Sequence, residues 1–152
     1  MSSRQHEVSK SIIDLLEEKN RYLQCFVELN ANELHRFSDG RFEHVESFYQ
    51  TRERILDIIK CLDVMIQESV EGLNGDQVPD ELCAEVRALM NQKDVFAKEI
   101  IEQDKQILSR IEAERNKVLV EMGETQFSKK VVSSYGLPER RAKLNQQIDD
   151  KA

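Results

Sequence analysis

Three histidines are the side chains best able to bind a metal or move a proton: His6, His35 and His44. No His-x-x-x-His or His-Glu-x-x-His spacing occurs, so two histidines do not share one helical face at the distance that zinc needs. A di-iron bundle would need Glu-x-x-His on two helices, and the chain contains no such pair. We therefore expect solvated histidines, no metal site and no cofactor.

Paired carboxylates occur in the segments "EQDKQ" (102–106) and "EAER" (112–115). Such a pair acts as acid and base only in a dry pocket that separates the two pKa values. Here both pairs flank an apolar seam at positions expected to be solvated. Glycine-rich phosphate loops and nucleophile elbows are also missing from the sequence. We therefore expect no catalytic residues, and a binding protein rather than an enzyme.

The three cysteines, Cys25, Cys61 and Cys83, are odd in number and far apart, and no Cys-x-x-Cys spacing is present. Reduced, partly buried thiols are the expected state.

The composition limits both fold and partners. Charged residues form 34% of the 152, while glycine (5) and proline (2) are scarce, which favours long helices with narrow apolar seams. The net charge of −7 argues against general nucleic-acid binding, which requires basic surface. No apolar run approaches the roughly 20 residues of a membrane-spanning helix, and the start lacks a signal-peptide core. We expect a cytoplasmic protein without membrane insertion.

Helical periodicity predicts three long helices at about 5–37, 40–70 and 79–122. The third carries a heptad-like seam, with Gln103 at an intermediate position. The apolar members of that seam are Leu82, Val86, Leu89, Phe96, Ile100, Ile107 and Ile111. At 1.5 Å per residue the third helix would reach roughly 60 Å and the others roughly 45–50 Å. We therefore expect the third helix to project beyond its neighbours.

The stretch "SDG" (38–40) either reverses the chain or is a soft spot in one very long helix. A reversal is favoured because it pairs two helices of nearly equal length. Ser38 or Asp39 would then cap the second helix, and Gly40 would relieve the backbone. In "EGLNGDQVPDEL" (71–82), Gly72 or Gly75 would supply a left-handed cap, and Asp76 or Pro79 would start the third helix.

The predicted fold class is all-α: an elongated antiparallel bundle or coiled coil of three long helices in residues 1–123, with a flexible C-terminal tail. Gly123 is expected to end the third helix. Residues 124–152 would form the mobile tail, with a possible short helix at 138–147.

The second helix opens with Phe42, Phe48 and Tyr49, followed by Arg52. The aromatic side chains either pack in the core near the end of the hairpin or form a patch that receives a partner. The stem of Arg52 is expected to cross the seam with its charge in water.

The run "ELNANELHRFSDGRFEHVESFYQTRERILDIIKCLDVMI" (28–66) resembles the flagellar type III export chaperones of the FlgN/FliT kind. The residues that carry the resemblance are Gly40, Arg41, Phe42 and Glu43, followed by Arg52, Glu53, Arg54, Ile55 and Leu56. The likeness covers about residues 15–122, with the fragments "SSYG" and "DDKA" in the tail. The polar segment "PERRAKLNQQ" departs from it, because it gives no clear anchor for cargo.

The resemblance implies a cytoplasmic chaperone that binds an amphipathic helix of an unassembled hook-associated or cap protein. It would prevent premature assembly and aid delivery to the export apparatus. The expected partner-binding residues lie on the third helix and in the tail: Ile107, Ile111, Val118, Leu119, Met122, Phe127 and Tyr135. The alternative is a structural coiled-coil or adaptor protein that acts by oligomerising along the seam at 82–118, and a homodimer is possible in either case.

Overall fold

A computed structural model describes the backbone of residues 3–73 and 80–134 and the side chains of residues 7–73 and 80–124. It contains the helices α1 (Ser3–Ser38), α2 (Val45–Glu71) and α3 (Asp80–Ser134). Successive helices pack antiparallel, which confirms the predicted all-α class.

Contacts between helices show this direction. Lys19 and Phe26 of α1 meet Asp63 and Arg52 of α2, so the partner number falls as the α1 number rises. Against α3, in contrast, Asn20 meets Leu89 and Asn30 meets Gln103, so both numbers rise together. The first and third helices therefore run in the same direction, and α2 runs against both.

The chain divides into two compact units, residues 1–107 and residues from 108 onward, and α3 contributes to both. In the first unit the apolar stripe of α1 forms most of the core, as its helical spacing predicts. The buried apolar side chains are Ile12, Ile13, Leu16, Leu23, Phe26, Phe37, Phe48, Ile59, Leu62 and Ile107.

The chain reverses at Gly40, which confirms the predicted hairpin. Gly40 has a φ of +74°, a left-handed conformation that glycine adopts without strain from a Cβ. The Arg41 N–H donates to the Arg36 carbonyl at 2.8 Å, and the Gly40 N–H donates to the Phe37 carbonyl at 3.0 Å. This pair of hydrogen bonds is a Schellman C-cap, and the stacked rings of Phe37 and Phe42, 4.5 Å apart, pack across it.

The predicted capping of α2 by Ser38 or Asp39 was wrong. The Ser38 hydroxyl donates backwards to the Leu34 carbonyl at 3.1 Å, because Ser38 is still the last residue of α1. The second helix begins at Val45, later than predicted, and its N-cap residue His44 makes no side-chain capping bond. The glycine therefore ends one helix and does not start the next.

At the other end of α2, Gly72 has a φ of −72° and is right-handed, so it does not supply the left-handed cap that was predicted. Gly75, Asp76 and Pro79 lie outside the described residues.

The third helix continues through Gly123 to Ser134, and the predicted end at Gly123 was wrong. One glycine inside a helix costs only about 1 kcal/mol, which good helix formers on either side can offset. Residues 124–134, predicted as mobile tail, continue the helix. The predicted short helix at 138–147 lies outside the described residues.

Candidate partner-binding surface

Arg52 joins the three helices of the first unit. Its guanidinium carbon lies near three ring centroids, at 4.8 Å from Phe26, 5.2 Å from Phe48 and 5.3 Å from Tyr49. Its Nη2 donates to Asp104 Oδ1 at 2.7 Å, and only 13% of the side chain is exposed. The expectation of a water-exposed charge was therefore wrong, because cation–π contacts and one carboxylate replace the water. Phe48 and Tyr49 therefore pack against Arg52, and Phe48 is buried while Tyr49 is partly exposed.

A polar layer crosses the first unit between α1 and α3. Asn30 is fully buried, and its Nδ2 donates to Gln103 Oε1 at 3.1 Å. Gln103 Nε2 donates in turn to the Val27 carbonyl at 3.0 Å. Ten residues earlier in α1, Asn20 Nδ2 donates to the Leu89 carbonyl of α3 at 3.0 Å. The sequence placed Gln103 at an intermediate position of the apolar seam but did not predict its buried partners on α1.

Glu33 is another buried polar residue, and the sequence pattern did not predict its burial. Its side chain is fully enclosed, with Oε2 accepting a 2.8 Å bond from Arg36 Nη1. Its Oε1, like the Oδ1 atoms of Asn20 and Asn30, has no hydrogen-bond partner among the described residues. An enclosed polar atom without a partner costs free energy of folding, so these three atoms lower the stability of the first unit.

The groups first considered for chemistry remain dispersed. His35 and His44 are both exposed. His35 Nε2 lies 3.8 Å from Asp39 Oδ2, and His44 Nε2 lies 3.7 Å from Glu43 Oε1. A hydrogen bond from its own backbone, followed by one from Arg41, holds the pKa of Glu43 below its usual value. Within the described ranges, no three His, Cys, Asp or Glu side chains come together as metal ligands.

An apolar groove of about 280 Å³ lies at one end of the first unit, where α1 begins and α2 ends. Its walls come from all three helices: Ser9, Ile12, Val70, Leu73, Cys83, Val86, Arg87 and Met90.

The second unit carries an apolar seam on α3 that, unlike the core of the first unit, is mostly exposed. Steps of three, four, three and four residues join Leu108, Ile111, Arg115, Val118 and Met122, which places them on one helical face. We call these five residues the distal seam. Leu108, Val118 and Met122 are 56%, 41% and 51% exposed, Arg115 is exposed, and Ile111 is half-buried. The distal seam is thus largely open to solvent in this chain.

The residues predicted to bind a partner fall into three groups. Ile107 is fully buried and belongs to the core of the first unit. Val118 and Met122 are exposed on the distal seam, and Ile111 and Leu119 are half-buried. The Phe127 backbone lies in α3, but its side chain, like all of Tyr135, is outside the described residues. Leu108 and Arg115 were missed, although their spacing from Ile111 and Val118 could have found them.

No family model, curated protein or solved structure matches this chain. Over the described residues, the geometry is that of a small all-helical protein of three helices. Over the residues that the structure describes, no helix is both long and apolar enough to cross a membrane.

Proposed function

We propose that this chain is a cytoplasmic helix-binding chaperone of the flagellar type III export class. It would cover the amphipathic helix of an unassembled hook-associated or cap protein, prevent premature assembly and aid delivery to the export apparatus. The open distal seam is the observation that carries this proposal, and the resemblance of residues 28–66 supplies the class of partner.

Physical chemistry supports an amphipathic helix as the partner. A segment that is destined to form a coiled coil exposes an apolar stripe before assembly, and that stripe is an aggregation hazard. Seams with three- and four-residue spacing pair with similar seams because side chains of one helix insert between those of the other. Leu108, Val118 and Met122 offer such side chains at that spacing.

Two valines two residues apart allow a matched test. Val118 lies in the distal seam at 41% exposure, while Val120 is off the seam at 59% exposure. Val118→Asp is expected to weaken binding of the C-terminal helix of a hook-associated or cap protein by at least about tenfold, since a carboxylate would enter an apolar interface. Val120→Asp should leave affinity within about twofold. Fluorescence anisotropy with the full chain and a labelled helix peptide measures both.

Equal affinity of both variants and the unmodified chain would remove the distal seam as the binding surface. No binding of any such helix by the unmodified chain would remove the chaperone function. Circular dichroism of each variant checks that α3 is intact.

The alternative function is a structural coiled-coil or adaptor protein. The length of α3 favours it, since 55 residues correspond to roughly 80 Å of helix with an exposed seam. It requires a stable dimer or higher oligomer at micromolar concentration. Sedimentation equilibrium showing only monomer would exclude it as the main function.

A further inference from the structure

A cation stands in the middle of the distal seam. Arg115 is four residues after Ile111 and three before Val118, so it lies on the same helical face as both. The seam residues on each side are apolar, and its ends are Leu108 and Met122. When a partner helix covers the seam, the side chain of Arg115 therefore enters the covered layer.

Within the described residues, Arg115 has no counter-ion that could accompany it. In the part of the chain that the structure describes, no hydrogen bond or ion pair to Arg115 is found, although Glu112 and Glu114 are close in sequence. A guanidinium that loses water without gaining a partner is strongly destabilising, whereas one that meets a carboxylate can form two parallel hydrogen bonds. The occupant of the seam must therefore supply a negative charge at this layer.

We propose that Arg115 determines which helix binds: the partner is an amphipathic helix with one carboxylate in its own apolar seam, opposite Arg115. This inference rests on the proposed function and adds the chemistry of the partner. A single polar residue in a seam commonly fixes register and partner choice at some cost in affinity.

A second copy of the chain fits this layer poorly. In a parallel, in-register pair, Arg115 would face Arg115 of the copy, and like charges would share the centre of the layer. In an antiparallel pair it would lie against apolar seam residues instead. Glu114 of a parallel copy reaches only the edge of the layer, because it precedes the seam position by one residue.

Two synthetic three-heptad peptides test the proposal. Both have leucine seams, and they differ in one central seam residue, which is glutamate in one and lysine in the other. The full chain is expected to bind the glutamate peptide about tenfold or more tightly than the lysine peptide, and Arg115→Glu should reverse this order. Arg115→Lys should keep the order, because the charge is retained. Arg110→Glu is the matched control: Arg110 is exposed and off the seam, so the order should not change.

Equal binding of both peptides, or an unchanged order in Arg115→Glu, overturns the role of Arg115. If Val118→Asp still weakens both peptides in that case, the proposed function stands without the charge preference. If neither peptide binds, both proposals fail, and sedimentation then tells whether a second copy covers the seam. A stable wild-type dimer that Arg115→Leu does not strengthen also overturns the inference.

Discussion

Gln103 and Arg115 both interrupt apolar seams of α3, and their surroundings are opposite. Gln103 lies between Ile100 and Ile107 in the first unit, where it is only 8% exposed and bonds to Asn30 and the Val27 carbonyl. Arg115 has the same kind of position in the second unit, between Ile111 and Val118, and it is exposed.

The difference separates a half-buried seam from a more open one. Gln103 has its hydrogen-bond partners on α1, so it takes part in the packing of α3 against α1. In the distal seam Val118 is exposed and Ile111 is half-buried, so Arg115 can contact a partner outside the chain. The same sequence pattern therefore serves folding in one unit and, as we propose, recognition in the other.

The largest expected effect compares two adjacent residues at the boundary between the units. Ile107→Ala should lower the free energy of unfolding by about 2–5 kcal/mol, because Ile107 is fully buried and its loss leaves a cavity. Leu108→Ala should change it by less than about 0.5 kcal/mol, since Leu108 is 56% exposed. Urea denaturation followed by circular dichroism measures both. Similar losses in the two variants would mean that the seam at Leu108 is covered in solution.

The next effect compares the two polar residues directly. Gln103→Ala should lower stability by about 1–3 kcal/mol, because Asn30 loses its partner while remaining enclosed. Arg115→Ala should change the free energy of unfolding by less than about 0.5 kcal/mol, since an exposed charged side chain contributes little to stability. A double variant, Asn30→Leu with Gln103→Leu, should cost less than the sum of its parts, because no polar atom of this pair is left enclosed. Additive losses would show that the two side chains are not coupled.

Most of the fold could be predicted because helical periodicity and a glycine turn are local signals. The apolar stripe of α1 gave the core positions Ile12 and Phe26, and "SDG" gave the reversal. The start of α2 could not be placed, because the Schellman bonds at Gly40 delay it to Val45. The end of α3 could not be predicted either. One glycine costs a helix only about 1 kcal/mol, so the residues around Gly123 decide whether the helix continues.

The candidate site was predictable only in part, because exposure depends on tertiary packing. Periodicity placed Ile107 and Val118 in one continuous seam, yet Ile107 is fully buried and Val118 is 41% exposed. Arg52 likewise had the pattern of a solvated arginine. Its burial depends on Phe26 and Asp104, which are distant in sequence and come together only in the fold.

Two glycines give the smallest effects and the clearest contrast between the units. Gly40→Ala should destabilise the first unit by about 1–2 kcal/mol, since a φ of +74° strains any residue with a Cβ even though nothing lies within 4 Å of that atom. Gly123→Ala should instead stabilise α3 locally by about 0.5–1 kcal/mol, because Gly123 is inside the helix and its Cβ would also meet nothing within 4 Å.

Urea denaturation measures the first change, and amide hydrogen exchange in residues 108–134 measures the second. If Gly40→Ala lowers stability and Gly123→Ala raises it, Gly40 is required by the turn and Gly123 is an ordinary helical position. Faster exchange in Gly123→Ala would show instead that α3 needs the freedom of this glycine, since an alanine at a regular helical position can only slow local opening.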